Sequence, residues 1–168
     1  MNTTSSIRLM QPGEETQVCE LITQVFDEFI APDFSPEGVK EFLKYIQPDA
    51  LRERSEANHF SLVATLGEKI VGVIEIRNHN HISLYFVDQK YLGAGIGKAL
   101  WRRALAICRR EHAELPHISV NSSPYAVPIY EKLGFHQTKA EQVVHGIRFV
   151  PMVIELGNQG IGESGNQD

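Results

Sequence analysis

A cluster of three glycines constrains this sequence more than any other feature. Gly93, Gly95 and Gly97 fall within five residues, where a β-branched and aromatic run that ends at Val87 gives way to a run with helical spacing that begins at Ile96. Glycine permits positive φ and lets other groups approach the backbone closely. A helix that starts after such a turn presents unpaired backbone N–H groups and the positive end of its dipole to an anion. The sequence therefore predicts a phosphate-binding turn.

Two common nucleotide-binding motifs do not fit this turn. A dinucleotide-binding fingerprint requires a glycine three residues after Gly95, where the chain has Lys98. A P-loop requires glycine at position 92 and serine or threonine at position 99, where the chain has Leu92 and Ala99. Two alternatives remain: a tight turn that binds nothing, and a nucleotide-binding domain that uses the same glycines in another way.

The hydrophobic pattern around the turn predicts a mixed α+β fold. Helical spacing runs from Val18 to Phe29 and resumes after a Ser35-Pro36 cap, and Pro48 is expected to end this second helix. Strands are predicted at about 7–10, 59–65, 70–76, 81–87, 118–121 and 149–156, and further helices at about 96–112 and 124–133. Early hairpins followed by alternating strands and helices predict a mixed, mostly antiparallel central sheet flanked by helices on both faces.

Length and composition favour one domain. A chain of 168 residues with 42% hydrophobic residues can bury a sizeable core without disulfides or metal. Residues 1–156 are predicted to form this single domain. Residues 157–168 are rich in glycine and polar side chains, and are predicted to be a flexible tail.

Charge and cysteine content limit the possible binding partners and the expected cellular compartment. A net charge of −5 argues against nonspecific binding to nucleic acid or to an anionic membrane. The first six residues are polar, and no run of 18 apolar residues exists to span a bilayer. Cys19 and Cys108 are too few for a disulfide framework, so a reducing, cytoplasmic location is expected.

A second motif makes the chain resemble a known family. Leu92-Gly-Ala-Gly95-Ile-Gly97 is similar to the Arg/Gln-x-x-Gly-x-Gly/Ala pyrophosphate motif of the GCN5-related N-acetyltransferase (GNAT) family. Ser123-Pro-Tyr-Ala126 and Ile129-Tyr130-Glu-Lys-Leu-Gly134-Phe135 are similar to that family's later helix and its Tyr-Glu-Lys-Leu-Gly-Phe ending. Leu92 departs from the family pattern, which usually has Arg or Gln there. The similarity runs from about residue 71 to residue 135.

This resemblance implies an acyl-CoA N-acyltransferase fold, in which the sheet splays between its fourth and fifth strands. Acetyl-CoA would be the cosubstrate, with its pyrophosphate on residues 92–98 and its pantetheine arm along residues 85–87. Asn121 and Ser123 would form the opposite wall. The implied cofactor-binding residues are Tyr85, Phe86, Val87, Leu92, Gly93, Ala94, Gly95, Ile96, Gly97, Lys98, Asn121, Ser123 and Tyr130.

The implied reaction is a direct attack by a primary amine on the thioester. Such a reaction needs an acid for the leaving thiolate and a donor for the developing oxyanion. By resemblance, Tyr130 is the catalytic acid, and Tyr125 is a less favoured alternative because it lacks the motif position. The oxyanion would be held by a backbone N–H near Phe86 or Val87.

The base that accepts the amine proton has three candidates. His81 has an ordinary pKa that suits neutral pH, and strand alternation would place it on the same face as Tyr85 and Val87. Glu75 on the preceding strand is the second candidate, and water is the third. His79 and His81 are spaced to reach one metal ion, but no metal is expected because thioester aminolysis does not require one.

The sequence constrains the identity of the amine acceptor and the oligomeric state least. In the family the acceptor site is formed by the first two helices and their loop, so Glu28, Phe29 and Phe34 are candidate substrate-binding residues. The acceptor would be a small-molecule amine or a peptide or protein amine. A non-catalytic acyl-CoA sensor is the alternative function, and Leu92 favours it. An exposed C-terminal strand could add to the sheet of a second copy and form a homodimer.

Overall fold

The structure is a computed structural model that describes residues 4–157. Eight strands and five α-helices are described in this range, with short 3-10 turns at Ala31–Asp33 and Gln89–Tyr91. The elements in chain order are β1 (Ser6–Leu9), α1 (Glu15–Phe29), α2 (Pro36–Tyr45), α3 (Pro48–Ser55), β2 (His59–Leu66), β3 (Lys69–Arg77), β4 (His81–Val87), α4 (Ile96–Glu111), β5 (His117–Ser122), α5 (Val127–Leu133), β6 (His136–Gln137), β7 (Gln142–Val144) and β8 (Ile147–Glu155).

The strands form a mixed, mostly antiparallel sheet, as the sequence predicts. The order is β1-β2-β3-β4-β5-β8-β6, with β7 paired to β8 off this path. Among the strands of residues 4–157, only β4 and β5 pair in parallel, and α4 supplies the crossover between them. Parallel neighbours need such a crossover, whereas the early hairpins connect antiparallel neighbours directly.

Helices cover both faces of the sheet, and each face has its own hydrophobic core. On one face, Leu100 and Ala104 of α4 are fully buried against strand residues such as Ile74. On the other face, Ile22 and Phe26 of α1 are fully buried against neighbours that include β3 and β4. Both faces of the central strands are therefore apolar, which explains why β3 is hydrophobic along almost its whole length.

Local chemistry explains where the second and third helices begin. The Oγ of Ser35 accepts a hydrogen bond from the N–H of Gly38 at 3.2 Å, so the predicted cap of α2 is confirmed. Pro48 does follow the end of α2, but it also opens α3, which the sequence reading missed. Proline is well suited to a first helical turn because its missing N–H would have no intrahelical partner there.

The C-terminal third differs most from expectation. Ser123 caps a turn by accepting a hydrogen bond from the N–H of Ala126, so α5 begins only at Val127 and is shorter than predicted. The predicted exposure of the last strand is wrong, because β8 pairs with β5 on one side and with β6 and β7 on the other. The predicted tail lies, from residue 158 onward, outside the described residues.

No helix within residues 4–157 is long and apolar enough to cross a membrane.

Candidate active site

The sheet opens where β4 and β5 meet. These two strands pair only at His81 with Ser119 and at Ile82 with Val120, yet β4 continues to Val87. Beyond Ile82 the two strands are no longer paired, and a gap opens between them. Two cavities meet at this gap, and Ile30, Tyr85, Phe86 and Ala126 line both of them.

The first cavity, here named the cradle cavity, has a volume of about 420 Å³. The glycine turn and the start of α4 form one side of it, and α5 forms another. Of the predicted cofactor-binding residues, those that line it are Tyr85, Phe86, Val87, Leu92, Gly93, Gly95, Ile96, Gly97 and Lys98. Ala94 lies outside the cavity. Most of the predicted cradle therefore surrounds one continuous space.

The glycines of the cradle are required by its backbone. Gly93 and Gly95 have φ values of +86° and +83°, which residues other than glycine rarely adopt. A Cβ at either position would meet no atom within 4 Å, so their surroundings are open. Gly97 is different, because it packs against Tyr85, whose hydroxyl donates a hydrogen bond to the carbonyl oxygen of Gly97. This contact ties β4 to the start of α4.

Positive charge surrounds the cradle cavity. The N-terminus of α4 opens onto it, and the exposed side chains of Lys98 and Lys132 line it. Leu92 also lines it with 52% of its surface exposed, so the position where the family carries Arg or Gln is apolar here. The backbone N–H groups, the helix dipole and two lysines remain available for an anion.

The second cavity, here named the aromatic cavity, has a volume of about 510 Å³. It lies on the α1–α2 side of the sheet and extends through the gap. Its aromatic lining comprises Phe34, Phe42, Tyr45, Tyr85, Phe86, Tyr130 and Phe149. Asn121 and Ser123 of the predicted opposite wall line this cavity and lie outside the cradle cavity.

Tyr130 lines the aromatic cavity and not the cradle cavity, next to Tyr85, which lines both. It is 6% exposed, and its ring centroid is 5.9 Å from that of Tyr85 and 5.5 Å from that of Phe135. Burial raises the pKa of Tyr130 well above its usual value, so the phenol keeps its proton at neutral pH. Tyr125, the alternative acid, lines the cradle cavity but is 39% exposed.

His81 does not face the gap in the way that simple alternation predicts. The pairing register between β3 and β4 shifts at Ser83, which forms a bulge, and the faces of β4 exchange there. The prediction that His81 shares a face with Tyr85 and Val87 is therefore wrong. His81 lies outside both cavities and hydrogen-bonds through Nδ1 to the Oγ of Ser119 at 2.7 Å. Burial and the charge of nearby Arg77 lower the pKa of His81 to about 4.

Glu75, the other candidate base, lies at the centre of a buried network. Its side chain is inaccessible to solvent, with 0% exposed. Each carboxylate oxygen is 3.3 Å from Nε of Arg54, and Oε1 accepts a hydrogen bond from the Oγ of Ser83 at 2.7 Å. Arg54 also donates to the carbonyl oxygen of Tyr45 at 2.7 Å and lies over the Tyr45 ring at 3.7 Å. Tyr45 and Ser83 line the aromatic cavity, and Glu75 lies behind them.

Sequence reasoning missed the partners of Glu75. A signal was available, because a glutamate inside the otherwise apolar run of β3 must be paired if it is buried. The pattern could not show which residue pairs with it. Arg54 comes from α3, which was itself missed, and Ser83 reaches Glu75 across the β3–β4 ladder.

The tip of the β7–β8 hairpin forms one wall of the aromatic cavity. The N–H of Ser35 donates to the carbonyl oxygen of Gly146 at 3.2 Å. Arg148, which lines the cavity, forms ion pairs with Asp33 at 3.5 Å and Glu141 at 2.8 Å. These contacts join the hairpin to the segment between α1 and α2, and residues 142–149 are here named the hairpin wall.

The three predicted substrate-binding residues lie in different surroundings. Phe34 lines the aromatic cavity and packs edge-on against Phe26, with 5.5 Å between ring centroids. Phe29 lies outside it and stacks on Tyr125 at 5.2 Å. Glu28 is exposed on α1 and outside both cavities. Only Phe34 of the three is therefore in a position to contact a molecule in the aromatic cavity.

The two histidines considered for metal binding point to different neighbours. The ring of His79 packs against Phe60 and His112, whereas His81 bonds to Ser119. Within residues 4–157, no group of three or more His, Cys, Asp or Glu side chains is arranged to hold a metal ion.

A sheet that splays next to a glycine cradle defines the acyl-CoA N-acyltransferase fold class. Comparison with known proteins agrees, since residues 30–156 match the model of the acetyltransferase (GNAT) domain. The chain belongs to the GNAT family and is an N-acetyltransferase enzyme.

The similarity to known proteins covers most of the chain. The uncharacterized N-acetyltransferase YafP of Escherichia coli (strain K12) is 28% identical over 138 residues, which cover 82% of this chain and 85% of that protein. A GCN5-related N-acetyltransferase from Rhodopseudomonas palustris superposes with a TM-score of 0.78 at 18% identity, covering 93% of this chain and 99% of that one. The PaiA N-acetyltransferase of Thermoplasma acidophilum, solved with coenzyme A, gives 0.75 at 17% identity, with 91% and 99% covered.

Proposed function

We propose that this enzyme transfers an acetyl group directly from acetyl-CoA to the primary amine of a small molecule with an apolar body. The observation that supports this most strongly is that a phosphate-type cradle and an aromatic cavity meet in the gap between β4 and β5. A donor held in one cavity can therefore react with an acceptor held in the other.

The cradle cavity suits the diphosphate and pantetheine portions of the donor. Its glycine backbone, the N-terminus of α4 and the two lysines offer hydrogen bonds and positive charge to a pyrophosphate. From there the apolar surface of Tyr85 to Val87 leads into the gap. The similar PaiA protein was solved in complex with coenzyme A, which supports the same ligand here.

The backbone of β4 offers a donor for the oxyanion. The N–H of Asp88 donates to the carbonyl oxygen of Val71 at 2.8 Å. N–H groups alternate in direction along an antiparallel strand, so that of Phe86 points toward β3 while those of Tyr85 and Val87 point into the gap. We assign the oxyanion contact to Val87, and the proton donor for the thiolate to Tyr130.

The aromatic cavity suits a compact acceptor. Phenylalanine, tyrosine and aliphatic side chains form most of its lining, and such surfaces favour apolar ligands. The charged side chains of Glu41 and Arg148 lie on its lining, where they can contact polar groups of the acceptor. The hairpin wall is in backbone contact with Ser35 and Gly38, and this contact favours a small acceptor over an extended polypeptide.

A non-catalytic acyl-CoA sensor is the second candidate function. The apolar Leu92 at the mouth of the cradle favours it, because one polar contact of the family motif is missing. The retained Tyr130 beside the gap favours an enzyme. The two functions differ in one product, the acetylated amine.

The experiment that tests the proposal is a mass-spectrometric assay with acetyl-CoA and a panel of amines. The panel contains arylalkylamines, polyamines, aminoglycosides and lysine-containing peptides. We expect acetylation of the arylalkylamines at higher kcat/KM than of the polyamines or peptides. Binding of CoA with no acetylated product would favour the sensor, and a preference for peptides would contradict the assignment of the acceptor. Calorimetric binding of ATP or NAD without binding of CoA would contradict the assignment of the donor.

A further inference from the structure

We propose that Ser83 accepts the proton of the acceptor amine and passes a proton to the buried carboxylate of Glu75. This inference rests on the proposed function and adds the group that makes the amine nucleophilic. Ser83 lines the aromatic cavity, and its Oγ donates to Oε1 of Glu75 at 2.7 Å. One hydroxyl therefore connects the cavity to a carboxylate that is otherwise sealed from it.

The bulge in β4 is what gives Ser83 this position. Glu75 pairs with Leu84 and Ile76 pairs with Ile82, so Ser83 is the extra residue between them. A bulge re-aims a side chain relative to a regular ladder, and bulges are common beside active sites. In a regular strand, alternation would not allow Ile82 and Tyr85 to pack on the same face, as they do here.

Arg54 pairs with the buried carboxylate of Glu75. A buried charge is costly unless it is paired and hydrogen-bonded, and here Nε of Arg54 lies 3.3 Å from each carboxylate oxygen. The guanidinium is itself held by the Tyr45 ring and carbonyl oxygen, with its side chain 15% exposed. Glu75 is thus held in a fixed position, with its Oε1 already hydrogen-bonded to Ser83.

The acceptor nitrogen loses two protons during the reaction. An ammonium proton of the acceptor moves to the Oγ of Ser83 while the Ser83 proton moves to Oε1 of Glu75. The neutral nitrogen forms a bond to the acetyl carbon, the carbon–sulfur bond breaks, and sulfur takes the phenolic proton of Tyr130. The second nitrogen proton passes to solvent. Glu75 then releases its proton to solvent and Tyr130 regains one, so each turnover releases one proton net.

A purely structural role for the network predicts different kinetics. If Ser83 only supported the fold, its loss would lower the rate by a similar factor at every pH. If it relays the proton, its loss matters while the amine is protonated and becomes unimportant as the pH approaches the amine pKa, near about 10.4 for an alkylamine such as lysine. The pH dependence therefore separates the two roles.

The test compares Ser83→Ala with Ser83→Thr, which retains a hydroxyl, and with Ser119→Ala, which removes a hydroxyl outside both cavities. We expect Ser83→Ala to lower kcat/KM for the amine about 100-fold at pH 7, as for loss of a general base, and to approach the wild-type rate near pH 10. The KM for acetyl-CoA should stay unchanged. Ser83→Thr and Ser119→Ala should keep the wild-type pH profile.

Three outcomes would overturn the relay. The first is a wild-type profile in Ser83→Ala, the second is a loss of rate that is equal at all pH values, and the third is a loss as large in Ser119→Ala. Thermal melting of each variant identifies any that is unfolded, and Ser83→Thr then carries the test, since it must keep the wild-type profile. If the wild type acetylates no amine in the panel, the proposed function itself fails, and this inference fails with it.

Discussion

Gly38 in α2 and Gly146 in the hairpin wall meet backbone to backbone. A Cβ at Gly38 would overlap the carbonyl oxygen of Gly146, and a Cβ at Gly146 would overlap the Oγ of Ser35. The two glycines therefore allow the hairpin to rest on the first turn of α2 and to close one side of the aromatic cavity.

We expect Gly38→Ala to force these two backbones apart. Alanine is favoured over glycine inside a helix by about 1 kcal/mol, so any loss must come from the contact with Gly146. The variant should raise the KM for the amine and leave the KM for acetyl-CoA unchanged. Lys40→Ala, on the exposed side of the same helix, is the control. An unchanged KM for the amine in Gly38→Ala would show that the wall does not shape the acceptor site.

Gly95→Ala should weaken CoA binding through backbone strain. The φ of +83° at Gly95 costs a non-glycine residue about 1–2 kcal/mol. If the turn relaxes away from the cradle conformation, the Kd for CoA should rise about 5- to 30-fold. Gly67→Ala is a matched control, because Gly67 has a φ of +61° and equally open surroundings in the β2–β3 turn. Equal effects of the two variants on the Kd would argue against a role for the turn.

Leu92→Gln should strengthen CoA binding. Leu92 is 52% exposed on the lining of the cradle cavity, so a longer polar side chain has room to reach a phosphate. One charge-assisted hydrogen bond would lower the Kd by about tenfold. Leu9→Gln, at a leucine that is 57% exposed on β1, controls for the change in surface polarity. A Kd that stays the same or rises would mean that the pyrophosphate does not lie beside residue 92.

The depressed pKa of His81 should make stability depend on pH. Since this pKa is about 4 in the folded chain and 6.5 is its ordinary value, the unfolded chain binds the proton more readily between these values. The stability that neutral His81 contributes to the folded chain is therefore fully present above about pH 6.5 and is lost as the pH falls toward about 4. Urea unfolding of wild type and His81→Asn across this range measures the difference. Parallel curves for the two proteins would contradict the shift.

The cradle could be predicted from sequence because its chemistry is local. Three glycines around the start of a helix indicate the backbone conformation directly, and Gly93 and Gly95 indeed have positive φ. The same is true of the Ser35 cap, which involves residues only three positions apart. The α+β sheet followed from hydrophobic periodicity, which is also a local property.

The interior of the aromatic cavity could not be predicted, because it depends on contacts between distant segments. A single bulge at Ser83 reverses the faces of β4, and no sequence pattern marks it. Arg54 reaches Glu75 across 21 residues, and Arg148 reaches Asp33 across 115. The ordinary pKa of His81 favours a role in catalysis, but in the fold its side chain hydrogen-bonds to Ser119.

The proposed reaction moves an acetyl group from the cradle cavity to an amine in the aromatic cavity, with Tyr130 as the acid. The most direct measurement follows transfer of a deuterated acetyl group from labelled acetyl-CoA to an arylalkylamine by mass spectrometry, in wild type and Tyr130→Phe. We expect labelled amide from the wild type, a kcat about 100-fold lower in the variant, as for loss of a general acid, and equal CoA affinity in both. CoA binding without labelled amide, or equal kcat in the two proteins, would contradict it.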